Sequence, residues 1–254
     1  MPKLQKTEEP HAALQNVLLA ALPSGEFEKI APFLDEVTHD VGDILWESEE
    51  KNTHVYFPVT SLICLLYESE EGVSIEVGLI GRSGLVGIST VMIDPRMSHR
   101  AVAYRAGISY RMKASEAQSE FSDCGDFQDM TMCYTQTLIA QVSQSAICNR
   151  LHSVEQQLCR FLLIAHDHQN SDLIPDTDKI LMTHDQMSTL LGVRRESVSL
   201  AAAGLKEKGV IDYVRGEIQL KDRELLENAA CECYGVETEQ FNRILAKYVR
   251  QHGK

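Results

Sequence analysis

Between Gly125 and Pro175 the chain contains neither glycine nor proline, and apolar residues recur at three- and four-residue steps through Phe127, Met130, Tyr134, Leu138 and Val142. Nothing in that stretch interrupts a helix, and the spacing places its apolar side chains on one face. Ser153 and Gln156 stand at capping-box spacing, in which the Ser oxygen accepts the backbone N–H of Gln156 and opens a second helix. The reading is therefore two helices with a hinge at residues 149–153. A long helix attached to a small domain exposes a stripe that it cannot bury alone. Pairing with the same helix of a second subunit would cover it, so a homodimer is expected, with Met130, Tyr134, Leu138 and Gln141 on the contact stripe; burial wholly within the subunit is the alternative.

Ahead of this stretch, residues 37–111 read as short β-branched and aromatic runs punctuated by glycine. The runs cover residues 54–58, 61–67, 73–77, 102–105 and 108–112, and turns are expected at Gly42, Gly72, Gly78, Gly81, Gly84, Gly87 and Gly107. Many short strands at this spacing predict a roll or jelly-roll sandwich. Residues 14–34 have helical spacing broken at Pro23, and Ser24 is placed to cap the second piece. The polar, acidic residues 167–178 suit a surface connection.

Residues 182–211 carry the strongest local signal. Thr183 and Gln186 form another capping box, opening a short helix whose Met187, Leu190 and Leu191 face inward. Gly192 supplies a left-handed turn, and Val193 plugs the corner. A second helix begins near Arg194, with Val198, Ala201, Ala202 and Leu205 on its buried side. Arg194, Arg195, Glu196, Ser197 and Ser199 stand toward its exposed N-terminal end. A recognition helix needs that arrangement, because its first turns enter the major groove, where Arg bonds guanine and Glu accepts from cytosine. Residues 210–220 then read as a two-stranded wing with Arg215 and Gly216 at its turn. Double-stranded DNA is the expected partner, contacted by Thr183, Arg194, Arg195, Glu196, Ser197, Ser199 and Arg215.

Charge limits how such a chain binds. The net charge is −13, yet residues 183–223 carry seven Lys and Arg against six Asp and Glu. A phosphate backbone repels an acidic surface, so tight binding must rest on a few well-placed contacts. No run approaches the length of a membrane span and the first ten residues lack the apolar block of a secretory signal, so a cytoplasmic protein with no membrane contact is expected. Seven cysteines, an odd number scattered through apolar segments, read as free buried thiols.

The sequence resembles the Crp/Fnr regulators over nearly its whole length: beyond residues 183–220, the likeness includes residues 18–23, 41–43, 54–58, 76–84, 148–152 and 226–234. The resemblance implies an α+β chain with an N-terminal double-stranded β-helix, a β-roll like the cyclic-nucleotide-binding domain, followed by a long dimerisation helix and a C-terminal winged helix-turn-helix. The corresponding boundaries are residues 14–122, 123–150 and 151–254. It also implies a transcription regulator that reads a palindromic operator and has RNA polymerase as a partner. Arg195 and Glu196 match the base-contacting pair of many members, and Ser197 the Ser or Thr beside it, whereas Leu200 replaces a usual Arg. Cyclic-nucleotide-binding members hold the ribose with a Gly-Glu pair and the phosphate with an Arg-Ser pair. Here those places read Gly84-Leu85 and Met97-Ser98, with Arg96 nearby, so Gly84, Leu85, Arg96 and Ser98 mark a candidate effector pocket of unknown ligand that is not expected to take cyclic AMP.

No catalytic residues, cofactor or metal are expected. His39, His54 and His99 are too scattered for a cupin-type metal site, and neither a Gly-x-Ser-x-Gly elbow nor a phosphate loop is present. Cys231 and Cys233 are closely spaced and lack a second pair in sequence, which argues against zinc. An iron–sulfur cluster needs clustered N-terminal thiolates, and the first cysteine is Cys64. The competing reading is a ligand-binding or protein-interaction module whose helix-turn-helix does not engage DNA, kept open by Leu200 and the acidic total.

Overall fold

The computed structural model describes residues 11–70, 74–92, 96–169, 178–214 and 216–252. Gly72 and Arg215, both singled out in the sequence, lie outside the described residues. Two short helices, α1 (Val17–Ala21) and α2 (Ser24–Ile30), lead into strands β1 (Asp35–His39), β2 (Ile44–Trp46), β3 (His54–Pro58), β4 (Leu62–Glu68) and β5 (Ser74–Ile80). Helix α3 (Ile88–Met92) precedes β6 (Arg100–Arg105) and β7 (Gly107–Lys113). These strands make two antiparallel sheets, ordered β1-β7-β3 and β2-β6-β4-β5, which face each other as the expected roll.

Two details depart from the sequence expectation. Ser24 is the first residue of α2 and makes no side-chain cap; Pro23 occupies the cap position. Gly78 turns no corner but lies inside β5, beside a register shift in the β4–β5 pairing and next to Leu138. By contrast Gly42, Gly87 and Gly107 do adopt positive φ, where a side chain would be strained.

Strand β4 explains how the halves of the molecule meet. Its side chains alternate, as strand geometry requires. Ile63 and Leu65 point into the roll with Trp46, Tyr56, Ile80 and Met97. Leu62, Cys64 and Leu66 point outward into the core of the C-terminal half, with Leu158, Leu162, Leu190 and Leu191. Both faces are covered, so the strand is apolar at consecutive positions.

Helix α4 (Ala114–Ser122) connects to α5 (Asp126–Leu151), and α6 (Val154–Gln169) follows after a break of two residues. The Ser153 capping box is present: Gln156 N–H donates to Ser153 Oγ at 3.3 Å, and Ser153 N–H to Gln156 Oε1 at 3.1 Å. Next come β8 (Lys179–Leu181), α7 (His184–Leu191), α8 (Arg195–Glu207), β9 (Ile211–Val214), β10 (Glu217–Leu220), α9 (Arg223–Ala229) and α10 (Cys233–His252). The last helix leaves the helix-turn-helix and runs back along α5, so residues 151–254 are not one packing unit. Tyr248 is sealed into the N-terminal core with Leu18, Phe127 and Met130, and its hydroxyl donates to Asp126 O at 3.1 Å. Among the described residues no helix is long and apolar enough to cross a membrane.

Candidate DNA-binding surface

The turn between α7 and α8 is built by local rules. Thr183 caps α7, its Oγ1 accepting from Gln186 N–H at 3.2 Å while Thr183 N–H donates to Gln186 Oε1 at 2.8 Å. Gly192 ends the helix at φ 62° and ψ 32°, a conformation that a Cβ disfavours. Val193 N–H then bonds Ser188 O at 3.1 Å, closing the corner. From there α8 buries Val198, Ala201, Ala202 and Leu205 against α6 and α7.

Arg194, Arg195 and Glu196 are exposed at the start of α8, and Ser197 is half-buried behind them. Arg195 Nε lies 3.3 Å from Asp185 Oδ1, with both side chains mostly in water. Such an exposed pair contributes about 1 kcal/mol or less, so it yields readily to a stronger anion. Leu200 is 75% exposed on the same helix. An apolar side chain in that position suits a thymine methyl group rather than a phosphate.

Ser199 makes an internal contact. Its Oγ lies 2.9 Å from Nδ1 of His184, whose ring stacks on Tyr213 at 4.2 Å. The contact joins the first helix, the recognition helix and the wing. Burial lowers the pKa of His184, and the nearby Arg195 adds to the effect. His184 and Tyr213 were not singled out in the sequence, because they come together only when the wing folds back. Strands β8, β10 and β9 form that wing sheet, and Gly216 turns it at φ 86°.

The four effector candidates differ in exposure. Gly84 and Leu85 are buried, whereas Arg96 and Ser98 are exposed. A Cβ on Gly84 would fall 2.5 Å from the Tyr134 hydroxyl, so the glycine permits α5 to lie against the roll. A cavity of about 290 Å³ adjoins it, walled by Ser83, Tyr134, Thr137, Gln141, Asp167 and His168 among others, with neither Leu85, Arg96 nor Ser98 in its lining. His168 is held neutral there, its pKa lowered to about 4 by burial.

The predicted dimer stripe also needs correction. Met130 and Tyr134 are buried within the subunit, Leu138 is half-buried over Gly78, and Gln141 Nε2 reaches Leu79 O at 3.4 Å. The roll and α10 claim that face of α5. The large apolar residues left exposed on the helix are Met132, Ile139, Val142, Ile147 and Leu151.

Residues 156–229 match the family model of the Crp-like helix-turn-helix domain. The chain carries a Crp-like helix-turn-helix. Over 76–79% of the chain the fold is similar to that of solved regulators, although the sequence identities are low. FixK2 from Bradyrhizobium japonicum superposes with a TM-score of 0.66 at 15% identity, over 78% of this chain and 98% of its own. The c-di-GMP-responsive global regulator CLP of Xanthomonas campestris gives 0.64 at 12% identity, over 79% and 100%. A transcriptional regulator of the CRP family from Thermus thermophilus gives 0.63 at 15% identity, over 76% and 96%. A comparison with curated proteins returned no match. The domain match, together with a second helix whose N-terminal residues are open to solvent, supports DNA binding through this helix-turn-helix.

Proposed function

We propose that the chain binds a palindromic operator as a homodimer, placing Arg194, Arg195, Glu196 and Ser197 of each subunit in successive major grooves, with Arg215 of the wing at the backbone. The observation that carries this reading is the exposed Arg195-Glu196 pair at the start of a helix whose opposite face is fully packed. Thr183 N-terminal to α7 is placed to meet phosphate, while Ser199 serves the internal tie to His184. Pairing of α5 through Met132, Ile139, Val142 and Ile147 sets the two recognition helices about 34 Å apart, one turn of DNA. The bound dimer then acts on transcription through RNA polymerase in the cytoplasm.

Cyclic AMP is not a ligand on this reading. Leu85 and Met97 sit sealed in apolar cores where cyclic-nucleotide-binding relatives of the family have a carboxylate and a guanidinium. Neither side chain offers an anion a charge or a hydrogen-bond donor to offset its desolvation.

Selection of bound sequences from a random duplex pool, repeated at several salt concentrations, tests the proposal. Recovery of an inverted repeat whose half-sites lie one turn apart is the expected result. Sequence-independent retention, or none, overturns it.

A further inference from the structure

Cys231 and Cys233 lack a second pair of ligands nearby in sequence, but folding supplies one. Cys148 lies one turn before His152 at the C-terminal end of α5, so both point to the same side of the helix. His152 N–H donates to Cys148 O at 3.1 Å, which holds that turn closed. Cys231 and Cys233 flank Glu232 where the chain passes from α9 into α10, and this segment lies against the end of α5.

One donor atom from each of Cys148, His152, Cys231 and Cys233 lies within 4.8 Å of every other. Cys148 Sγ stands 3.6 Å from Cys231 Sγ, and Cys233 Sγ 3.5 Å from His152 Nδ1. With zinc–sulfur bonds of about 2.3 Å and zinc–nitrogen bonds of about 2.0 Å, the edges of a tetrahedral site are roughly 3.5–3.8 Å. Ligands of a multi-iron cluster would stand farther apart, because they bind different irons.

The surroundings point the same way. The three thiols are buried and pack as a small group of their own, separate from the apolar cores. Thiols alone give such a group little cohesion, since S–H is a weak donor and sulfur a weak acceptor. His152 Nε2 lies 3.3 Å from Glu232 Oε1. A proton on Nε2 donated to that carboxylate leaves the Nδ1 lone pair facing the sulfurs, the arrangement by which a carboxylate orients a ligating histidine.

We propose that Cys148, His152, Cys231 and Cys233 bind one tetrahedrally coordinated, thiolate-preferring divalent cation, zinc above all, with Glu232 orienting the histidine. The ion joins the end of α5 to the start of α10. Because His152 immediately precedes Ser153, the cap of α6, it also fixes the point at which the helix-turn-helix half departs from the long helix.

The test uses the full chain purified under reducing conditions from zinc-replete cells, with metal measured by mass spectrometry. About one zinc per chain is expected. After the zinc is stripped, added Co²⁺ should give the visible d–d bands of a tetrahedral site and a thiolate charge-transfer band. Cys148→Ser and Cys233→Ser should lose the metal, while Cys124→Ser, at an exposed cysteine, should keep it. His152→Cys should retain the ion with a stronger charge-transfer band, and this gain guards against a trivial loss of fold. Glu232→Gln should weaken zinc affinity about tenfold. A metal-free chain with reduced thiols that gives no cobalt spectrum overturns the proposal. So does a zinc content unchanged in folded Cys148→Ser and Cys233→Ser proteins, or a Cys148–Cys231 disulfide found in place of metal.

Discussion

The imidazole of His184 lies 4.2 Å from the Tyr213 ring with the two planes 23° apart, so the first helix of the helix-turn-helix is stacked on β9 of the wing. The same imidazole reaches Ser199 on α8. Three elements that must hold a fixed geometry on DNA therefore meet at one side chain. Tyr213→Leu should cost about 1 kcal/mol of stability, the usual value of an aromatic pair beyond its buried area, as measured by urea unfolding at neutral pH. Burial lowers the His184 pKa, so the folded protein resists a proton that the unfolded chain accepts near its ordinary value of 6.5. This tie is intact above that value and weakens as pH falls below it. A Tyr213→Leu penalty that stays the same from pH 8 to pH 5 would contradict the coupling.

Arg195 is tethered to Asp185 in the free protein, and that contact competes with DNA for the guanidinium. Arg195→Ala should weaken operator binding by about 1–3 kcal/mol per half-site and relax the base preference at one position. Asp185→Asn should act the other way, tightening binding modestly by removing both a competitor and a negative charge near phosphate. Fluorescence anisotropy on the selected operator measures both; unchanged affinity in Arg195→Ala would remove that residue from the interface.

In the proposed dimer the two faces of α5 separate subunit pairing from folding. Ile139 is 61% exposed, whereas Met130 is 1% exposed beside Leu18, Phe127 and Tyr248. Ile139→Glu should give a folded monomer in sedimentation, because a charge is inserted where two helices meet but the subunit core is untouched. Met130→Ala should leave the oligomeric state unchanged and lower stability by about 2–5 kcal/mol. Persistence of the dimer in Ile139→Glu would place the subunit contact elsewhere.

Features that follow from local rules were legible in the sequence. The capping boxes at Ser153 and Thr183, the left-handed Gly192 and the buried spacing of α8 each depend on residues within one or two turns. What escaped depends on which distant segment covers a face. Periodicity placed Met130 and Tyr134 on one stripe of α5 but gave no sign that the roll and α10 would bury it. The apolar run of β4 marked a strand but not what lies on its two faces, one of which α6 and α7 cover. Cys148 and Cys231 are separated by 83 residues, so spacing alone paired neither with the other.

Glu76 connects proton uptake to the seam between the roll and the helix-turn-helix. It lies on β5 in a crevice with Arg160, Leu190 and Leu191, and burial pushes its pKa up to about 7, Arg160 opposing and Glu237 reinforcing the shift. The unfolded chain releases that proton near 4.5, so the stability that this group contributes is complete below 4.5 and is lost as pH rises through 7. Glu76→Gln keeps the neutral shape at every pH. Its melting temperature should match that of the parent at pH 4, exceed it increasingly from pH 5 to pH 7, and level off above that at an excess equivalent to about 3 kcal/mol. Arg160 still has Glu237, 2.7 Å away, so the substitution leaves no buried cation unpaired. Parallel melting curves across that range would mean that Glu76 is already charged in the fold, and the docking of α7 on β5 would then be indifferent to pH.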